Sequence, residues 1–397
     1  MNPTAPPPGL GSLAWVLLRV GATAFGAHMA LLAAVHREAV ERRGWLPQTR
    51  WNDIIALVAA LPGPLAVNAV ACLGYSVRGL PGAVVAMLAI LVPSIALMTG
   101  FAVLHAGAGA SASTAALFSF MPAAVAAIVL GAAHGLGKPL IGDRFSMAVA
   151  LLAGIAFFLS RGQGIAWIFL GAGLAGMVWR AGAANPAGTD WRRTAIPLAA
   201  AILVATAALF AHRLPGLDSL GDLAAGFARV GVLMFGGGYT AVPLFRELAV
   251  EQHHWVDLAG LSDAIALSQL TPGPILTSAG FIGQQVAGYA GNGAALAGMF
   301  LPMALIAMLA LRGLEGLARS PLGAGFLKGV RPAAVALVAV SGLLMLPDLP
   351  NPALSLPAFF LALILLLTMK LPTYWLILLA GLAGMVLTPS GTAITVL

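Results

Sequence analysis

Apolar stretches succeed one another along this chain, at about 12–34, 53–77, 80–104, 114–135, 145–160, 163–180, 194–212, 223–247, 261–287, 290–312, 327–347, 353–370 and 371–389. Most approach the ~20 residues with which a helix crosses a bilayer. Four of them are broken internally. Phe25-Gly26-Ala27-His28 interrupts the first and Leu61-Pro62-Gly63-Pro64 the second; Phe235 to Gly238 and Thr271-Pro272-Gly273-Pro274 interrupt the eighth and ninth. Proline removes a backbone donor and forces the preceding residue out of the helical region, so Pro-Gly-Pro stops a helix. Two readings follow, a kink within a spanning helix or a pair of half-helices that turns back inside the membrane.

The breaks belong to a repeat. Phe25-Gly26 returns as Phe235-Gly236, Trp45 as Trp255 and Pro62-Gly63-Pro64 as Pro272-Gly273-Pro274, each 210 positions later. Gly74, Gly79, Gly82 and Pro93 match Gly283, Gly288, Gly291 and Pro302, one position closer. Ala172 to Val178 recurs as Ala380 to Val386. The chain is therefore read as an N-terminal membrane repeat (12–180), a linking transmembrane helix (194–212) and a C-terminal membrane repeat (223–389). Duplicated apolar halves are the usual pattern of a secondary transporter, with its site where the halves meet.

Charge sets the orientation. Cytoplasmic loops collect Lys and Arg. Between its broken segments the first copy carries Arg37, Arg42, Arg43 and Arg50, whereas the second carries Arg246 with Glu247, Glu251, Asp257 and Asp263. Later loops reverse the contrast, since 106–114 is uncharged and 312–331 holds three arginines and Lys328. Opposed copies with nine full crossings satisfy every loop only if all four broken segments re-enter. The expected fold is an all-α polytopic membrane protein of two inverted repeats, each with two re-entrant helical hairpins followed by about four transmembrane helices.

Composition agrees with a multi-pass protein in a lipid bilayer. The 397 residues are 60% hydrophobic and 8% charged, against roughly 25% charged in a soluble domain. The net charge of +7 comes from scattered loop arginines, with no basic run or base-stacking motif, so a nucleic-acid partner is not expected. Cys72 is the one cysteine, which rules out an intrachain disulfide. Met1 to Leu10 lacks a signal peptide's basic start and cleavage site. No metalloprotease helix, nucleophile elbow or paired intramembrane aspartates occur, which argues against an enzyme. His253-His254 lacks zinc spacing, and neither metal nor cofactor is expected.

The breaks also suggest the chemistry. Half-helix tips meeting near the midplane would direct helix N-termini, with their unpaired N–H groups and partial positive charge, into one cavity suited to an anion. Gly26, Gly63, Gly236, Gly237, Gly238 and Gly273 would let a ligand oxygen approach the backbone, with Pro62, Pro64, Pro272 and Pro274 shaping the turns. Arg19 and Arg229 correspond, each six residues before Phe-Gly, and either bind an oxyanion as a guanidinium fork or snorkel to the headgroups. Asn68, Gln269, Thr271, Thr277 and Ser278 flank the breaks as ligand donors or as interhelical hydrogen bonds, and Tyr239 as a ligand donor or an interfacial anchor. His28 is a ligand donor or a proton relay, with a packed neutral ring as the plainer reading; Asp53 and Asp263 are the other proton-coupling candidates, with helix capping as their plainer role.

These motifs resemble the chromate ion transporter family over both copies. The most specific stretches are Phe235 to Leu244, Trp255 and Ser268 to Thr277, with Arg37 to Leu46 and Leu61 to Pro64 in the first copy. The resemblance implies a bacterial inner-membrane protein that exports chromate, a sulfate-like dianion, and confers chromate resistance. The family's usual Phe-Gly-Gly-Pro has Ala27 and His28 in its third and fourth places here; Leu31 replaces a histidine, and Asn68 a common glutamine. An anion channel using the same half-helix tips, or a carrier of another oxyanion such as sulfate, is the alternative. By analogy with transporters of this build, a homodimer is a candidate assembly.

Overall fold

The computed structural model describes residues 8–24, 27–108, 116–161, 163–181, 219–235, 237–313, 321–369 and 371–387. The expected linking helix at 194–212 lies outside the described residues, as do Gly26 and Gly236. Every regular element among the described residues is helical.

The first copy opens with α1 (Leu10–Thr23) and α2 (Ala27–His36), which runs on through a π-helical turn at Arg37–Arg42. Next come α3 (Gln48–Ala60), the Pro-Gly-Pro turn and α4 (Leu65–Ala108), then α5 (Met121–Leu140), α6 (Arg144–Leu159) and α7 (Ile165–Ala181). The second copy repeats this order. It has α8 (Ser219–Leu233), a 3₁₀ turn at Gly238–Thr240 leading into α9 (Ala241–Phe245), and a π-helical turn at Arg246–Gln252. Then follow α10 (Leu258–Gln269), a 3₁₀ turn at Ile275–Thr277, α11 (Ser278–Gly313), α12 (Pro321–Leu344), α13 (Pro352–Thr368) and α14 (Thr373–Leu387).

All four sequence-predicted breaks are breaks in the helices. The flanking arms α1, α3, α8 and α10 have 12–15 residues, roughly 18–22 Å, short of a ~30 Å hydrocarbon core. The long helices each fold sharply once. In α4 the backbone leaves helical values at Arg78 and Gly79, and in α11 at Ala287 and Gly288. A Cβ on Gly74 would lie 2.3 Å from the Gly82 carbonyl oxygen, and one on Gly283 would lie 2.2 Å from that of Gly291. Only glycine permits such contact, so each short limb lies antiparallel against the long limb that follows it.

These contacts also fix depth. Arg78 Nε donates to the Pro8 carbonyl at 2.6 Å, and Gly21 touches the Ile90 carbonyl, so α1 runs parallel to the long limb of α4 and stops level with Pro93. Gly63 packs on Met303 and Gly273 on Ser94, placing both Pro-Gly-Pro turns at the level of Pro93 and Pro302. Where α4 and α11 meet they run antiparallel. Thr99 bonds Asn292, and His105, near the end of α4, bonds Gln285, just before the fold of α11. His105 also bonds Asp263 on α10. The arms either side of Pro272-Gly273-Pro274 therefore lie side by side.

The copies interlock. Helix α12 of the second packs on α5, α6 and α7 of the first, and α5 packs on α10, α13 and α14 of the second. A Cβ at Gly176 would lie 2.2 Å from the Gly325 carbonyl, so α7 and α12 touch backbone to backbone. Outward faces stay apolar, with Leu151, Leu152, Trp167, Val178, Phe360 and Leu382 exposed. Among the described residues four helices, Leu65–Gly107, Ala116–Leu140, Ile275–Leu311 and Gly323–Leu344, are long and apolar enough to cross a membrane.

Candidate functional site

A cavity opens where the breaks converge. Its wall combines the N-terminal turn of α4 (Pro64 to Val67), Gly238 and Tyr239 at the 3₁₀ start of α9, Gly273 to Leu276 ahead of α11, and Thr373 at the start of α14. Ser268, Gln269 and Thr271 at the end of α10 complete it. Four helix starts thus share one space. The first N–H groups of a helix have no partner within it and carry about half a positive charge together. The lining holds no acidic or basic side chain, so this backbone field is not opposed by a fixed charge in the wall.

The polar side chains around the cavity divide into two sets. Tyr239 Oη and Thr373 Oγ1 both donate to Gln269 Oε1, at 3.1 and 2.9 Å. With its oxygen taken by two hydroxyls, the Gln269 amide nitrogen is the group left for a ligand. Other hydroxyls turn back on their own chain, as Thr271 bonds the Ser268 carbonyl, Thr277 that of Pro274 and Ser278 that of Ile275. Thr277, Ser278 and Asn68 are fully buried behind the wall. Asn68 Nδ2 reaches the Pro62 carbonyl at 3.4 Å, while its Oδ1 has no partner.

Pro64, Gly238, Tyr239, Gln269, Thr271, Gly273 and Pro274 therefore meet at one cavity. Pro62, Gly63, Pro272 and Gly237 belong to the turns that shape it; Gly63, Gly237 and Gly273 have φ of +106°, +125° and +126°. His28 opens α2, but its side chain lies outside the described residues.

The two arginines are not brought to the cavity. Arg19 is exposed on α1. Arg229 lines a separate small cleft, bonds Gln252 at 3.2 Å and pairs with buried Glu247 at 3.7 Å. Glu247 also accepts the Gly164 N–H at the start of α7, 3.2 Å away.

The capping role considered for the aspartates is corrected. Asp257 caps α10 by accepting the Gly260 N–H at 2.7 Å. Asp263 sits inside that helix, buried against His105, while Asp53 is exposed within α3 behind Pro47 at the cap position. Glu247 and Asp263, counted as acids of the loop, are both buried, leaving Glu251 and Asp257 in that role.

Sequence reasoning missed Thr373, Ser94, His105 and Arg331. Ser94 joins Thr271 and Thr277 through hydrogen bonds of 3.1 and 3.0 Å. The Arg331 guanidinium donates to the Ala59 carbonyl at the end of α3, where helix carbonyls lack partners. Its counterpart in the first copy is Met121, so the repeat gave no signal for it. Among the described residues no three His, Cys, Asp or Glu side chains group as a metal site.

Long apolar helices with breaks gathered around an uncharged cavity define a polytopic membrane protein. The chain belongs to the chromate transporter family, whose model matches residues 11–177 and 221–385. It is 29% identical to the chromate transport protein of Cupriavidus metallidurans, covering 97% of this chain and 95% of that one. It is 30% identical to the chromate transport protein of Pseudomonas aeruginosa, over 97% and 94%. A probable chromate transport protein of Synechococcus elongatus is 28% identical over 95% of both. No solved structure matches.

Proposed function

We propose that this protein exports chromate, or a closely related sulfate-like oxyanion, across the bacterial inner membrane, binding it in the cavity between the copies. The observation that carries this reading is the convergence of four helix starts on one space whose wall has no carboxylate. A doubly charged tetrahedral oxyanion has acceptors in every direction and suits such a ring of N–H donors. The Gln269 amide adds a donor, and Tyr239 fixes that amide.

The inverted, re-entrant arrangement is part of the same reading. It is supported by the antiparallel meeting of α4 and α11 and by the side-by-side arms of α10 and α11. The arginine-rich loop at 37–50 then faces the cytoplasm, and the end of α4 near His105 faces outward. Alternating access would arise as one copy's interrupted arms rock against the other's around the fixed cavity.

The test is uptake of labelled chromate into everted vesicles, with sulfate and molybdate as competitors. Saturable uptake that counter-exchanges is expected. Flux without saturation would identify a channel, and indifference to every oxyanion would remove the assignment.

A further inference from the structure

From the cavity to its far end, α4 presents three polar side chains to the second copy, and each is bonded there. Ser94 meets Thr271 and Thr277 at the cavity's depth. Thr99 Oγ1 accepts from Asn292 Nδ2 at 2.9 Å, and the same amide reaches Gln284 Oε1 at 3.3 Å. His105 Nε2 stands 3.1 Å from Asp263 Oδ2, and its Nδ1 stands 3.3 Å from Gln285 Nε2. Ser94 to His105 covers roughly 16 Å of helix. The ring is held edge-on by Phe118 and Phe281, with centroids at 5.1 and 5.3 Å. The His105 side chain is 25% exposed and that of Asp263 is 11% exposed, so the pair is mostly enclosed but reaches the protein surface.

The related helix of the second copy lacks the first two of these hydroxyls. Met303 and Met308 stand where the repeat places Ser94 and Thr99, and Leu61 stands where it places Thr271. Met303 packs directly on Gly63 there. Methionine packing and bonds to backbone carbonyls, from Gly63 to Met234 and from Arg331 to Ala59, therefore hold one of the two equivalent seams, and packing does not require the line of polar side-chain pairs in the other. Interhelical hydrogen bonds in membranes contribute only about 0.6 kcal/mol each, a weak reason to keep three in a row.

We propose that this line is a proton path, and that the His105–Asp263 pair is the proton-binding site coupling oxyanion movement to proton movement. The proposal rests on the transport reading above. With Nε2–H donating to Asp263 and Nδ1 accepting from the Gln285 amide, the imidazole is neutral and the pair carries one negative charge. One proton added at Nδ1 gives an imidazolium paired with the carboxylate, and rotation of the Gln285 amide offers its oxygen to the new N–H. The pair thus takes and releases a proton with one side-chain rotation. Asp257, before the start of α10, is the other charged group that acts on Asp263. Toward the pair α11 presents Gln285 and Phe281, and the segment before α5 presents Phe118. Helix α5 carries its titratable side chains, His134 and Lys138, in its last two turns.

The experiment uses the full chain in proteoliposomes with labelled chromate and a pH-sensitive dye inside. Wild-type chromate flux is expected to move protons. His105→Gln and Asp263→Asn are expected to abolish the proton signal and gradient-driven uptake. Both should retain chromate–chromate exchange within about threefold of wild type, the effect of one lost interhelical hydrogen bond. Asp263→Glu, which keeps the carboxylate, should restore coupling. Thr99→Val, away from any charge, should slow proton-driven uptake and spare exchange. Chromate flux without proton movement in the wild type would overturn the proposal and leave transport standing, whereas no chromate flux at all would remove the transport reading itself. Exchange lost together with net uptake in both pair variants, with unchanged melting, would show that the pair serves chromate movement itself and overturn the coupling role.

Discussion

The backbone N–H of Gly63 donates to the Met234 carbonyl oxygen at 2.7 Å, tying the first copy's Pro-Gly-Pro turn to the end of α8 in the second. Gly63 holds φ at +106°, and a Cβ there would stand 2.9 Å from Asn68 Nδ2 and 3.0 Å from the Met303 side chain. Backbone in this region costs an L-residue about 2 kcal/mol. Gly63→Ala is therefore expected to lower stability by about that amount and to part the copies at the cavity. Thermal unfolding in detergent, read beside chromate flux, checks it. Gly100→Ala is the matched control, because nothing lies within 4 Å of the added carbon. Wild-type melting and flux in Gly63→Ala would show that the tie is dispensable.

The backbone breaks were legible in the sequence because proline and glycine act locally. Pro62 to Pro64, Pro272 to Pro274 and the folds at Gly79 and Gly288 all lie where the repeated residues put them. What the breaks surround was less legible. Thr373 reaches Gln269 across 104 positions, and no local pattern announces that contact. The arginines drew attention by their charge, yet Glu247, which pairs with Arg229, read as an aqueous loop acid. Asp257 and Asp263 are equally plausible caps by position, and only the turn geometry selects Asp257. Polar asymmetry between Ser94 and Met303 was visible in the aligned copies, but its meaning came from the partners across the seam.

Outside the apolar spans, Asp143 caps α6 and meets Lys328 of α12 at 2.9 Å. The Ser146 backbone N–H first, and then Lys328, hold its carboxyl down at about 2 from its ordinary 3.8. A carboxyl lowered on folding stabilises above its unfolded pKa and loses that contribution as pH falls through the folded one. Stability should therefore decline between about pH 4 and pH 2, and Asp143→Asn should flatten that part of the melting profile. At neutral pH the change should be small, since asparagine caps helices nearly as well. An unaltered acid profile in the variant would exclude Asp143 as its source.

Arg229 and Glu247 allow a structural role to be separated from a ligand role. Removing the arginine leaves Glu247, 3% exposed, without its cation. Arg229→Gln is expected to cost about 3 kcal/mol, and adding Glu247→Gln should recover most of it. Arg19→Gln, at an exposed site, should change stability by no more than about 0.5 kcal/mol. Unfolding in detergent measures all three. A stable double variant that still transports would place Arg229 outside the substrate's path; one that is stable and silent would make it a ligand.

Gln269 gives the most direct test of the cavity's sign. Its side-chain oxygen is engaged by Tyr239 and Thr373, so its nitrogen is the donor available to an anion. In Gln269→Glu the carboxylate can keep both hydroxyl bonds, so the local fold should hold and melting should shift little. The donor becomes a negative charge facing a dianion, and like charges at that range cost several kcal/mol. Chromate flux should fall by at least about tenfold. Tyr239→Phe with Thr373→Val should act more gently, raising KM a few-fold, because the amide is then free to turn. Chromate flux in Gln269→Glu that matches the wild type would show that the dianion crosses elsewhere, whatever the helix starts around this cavity suggest.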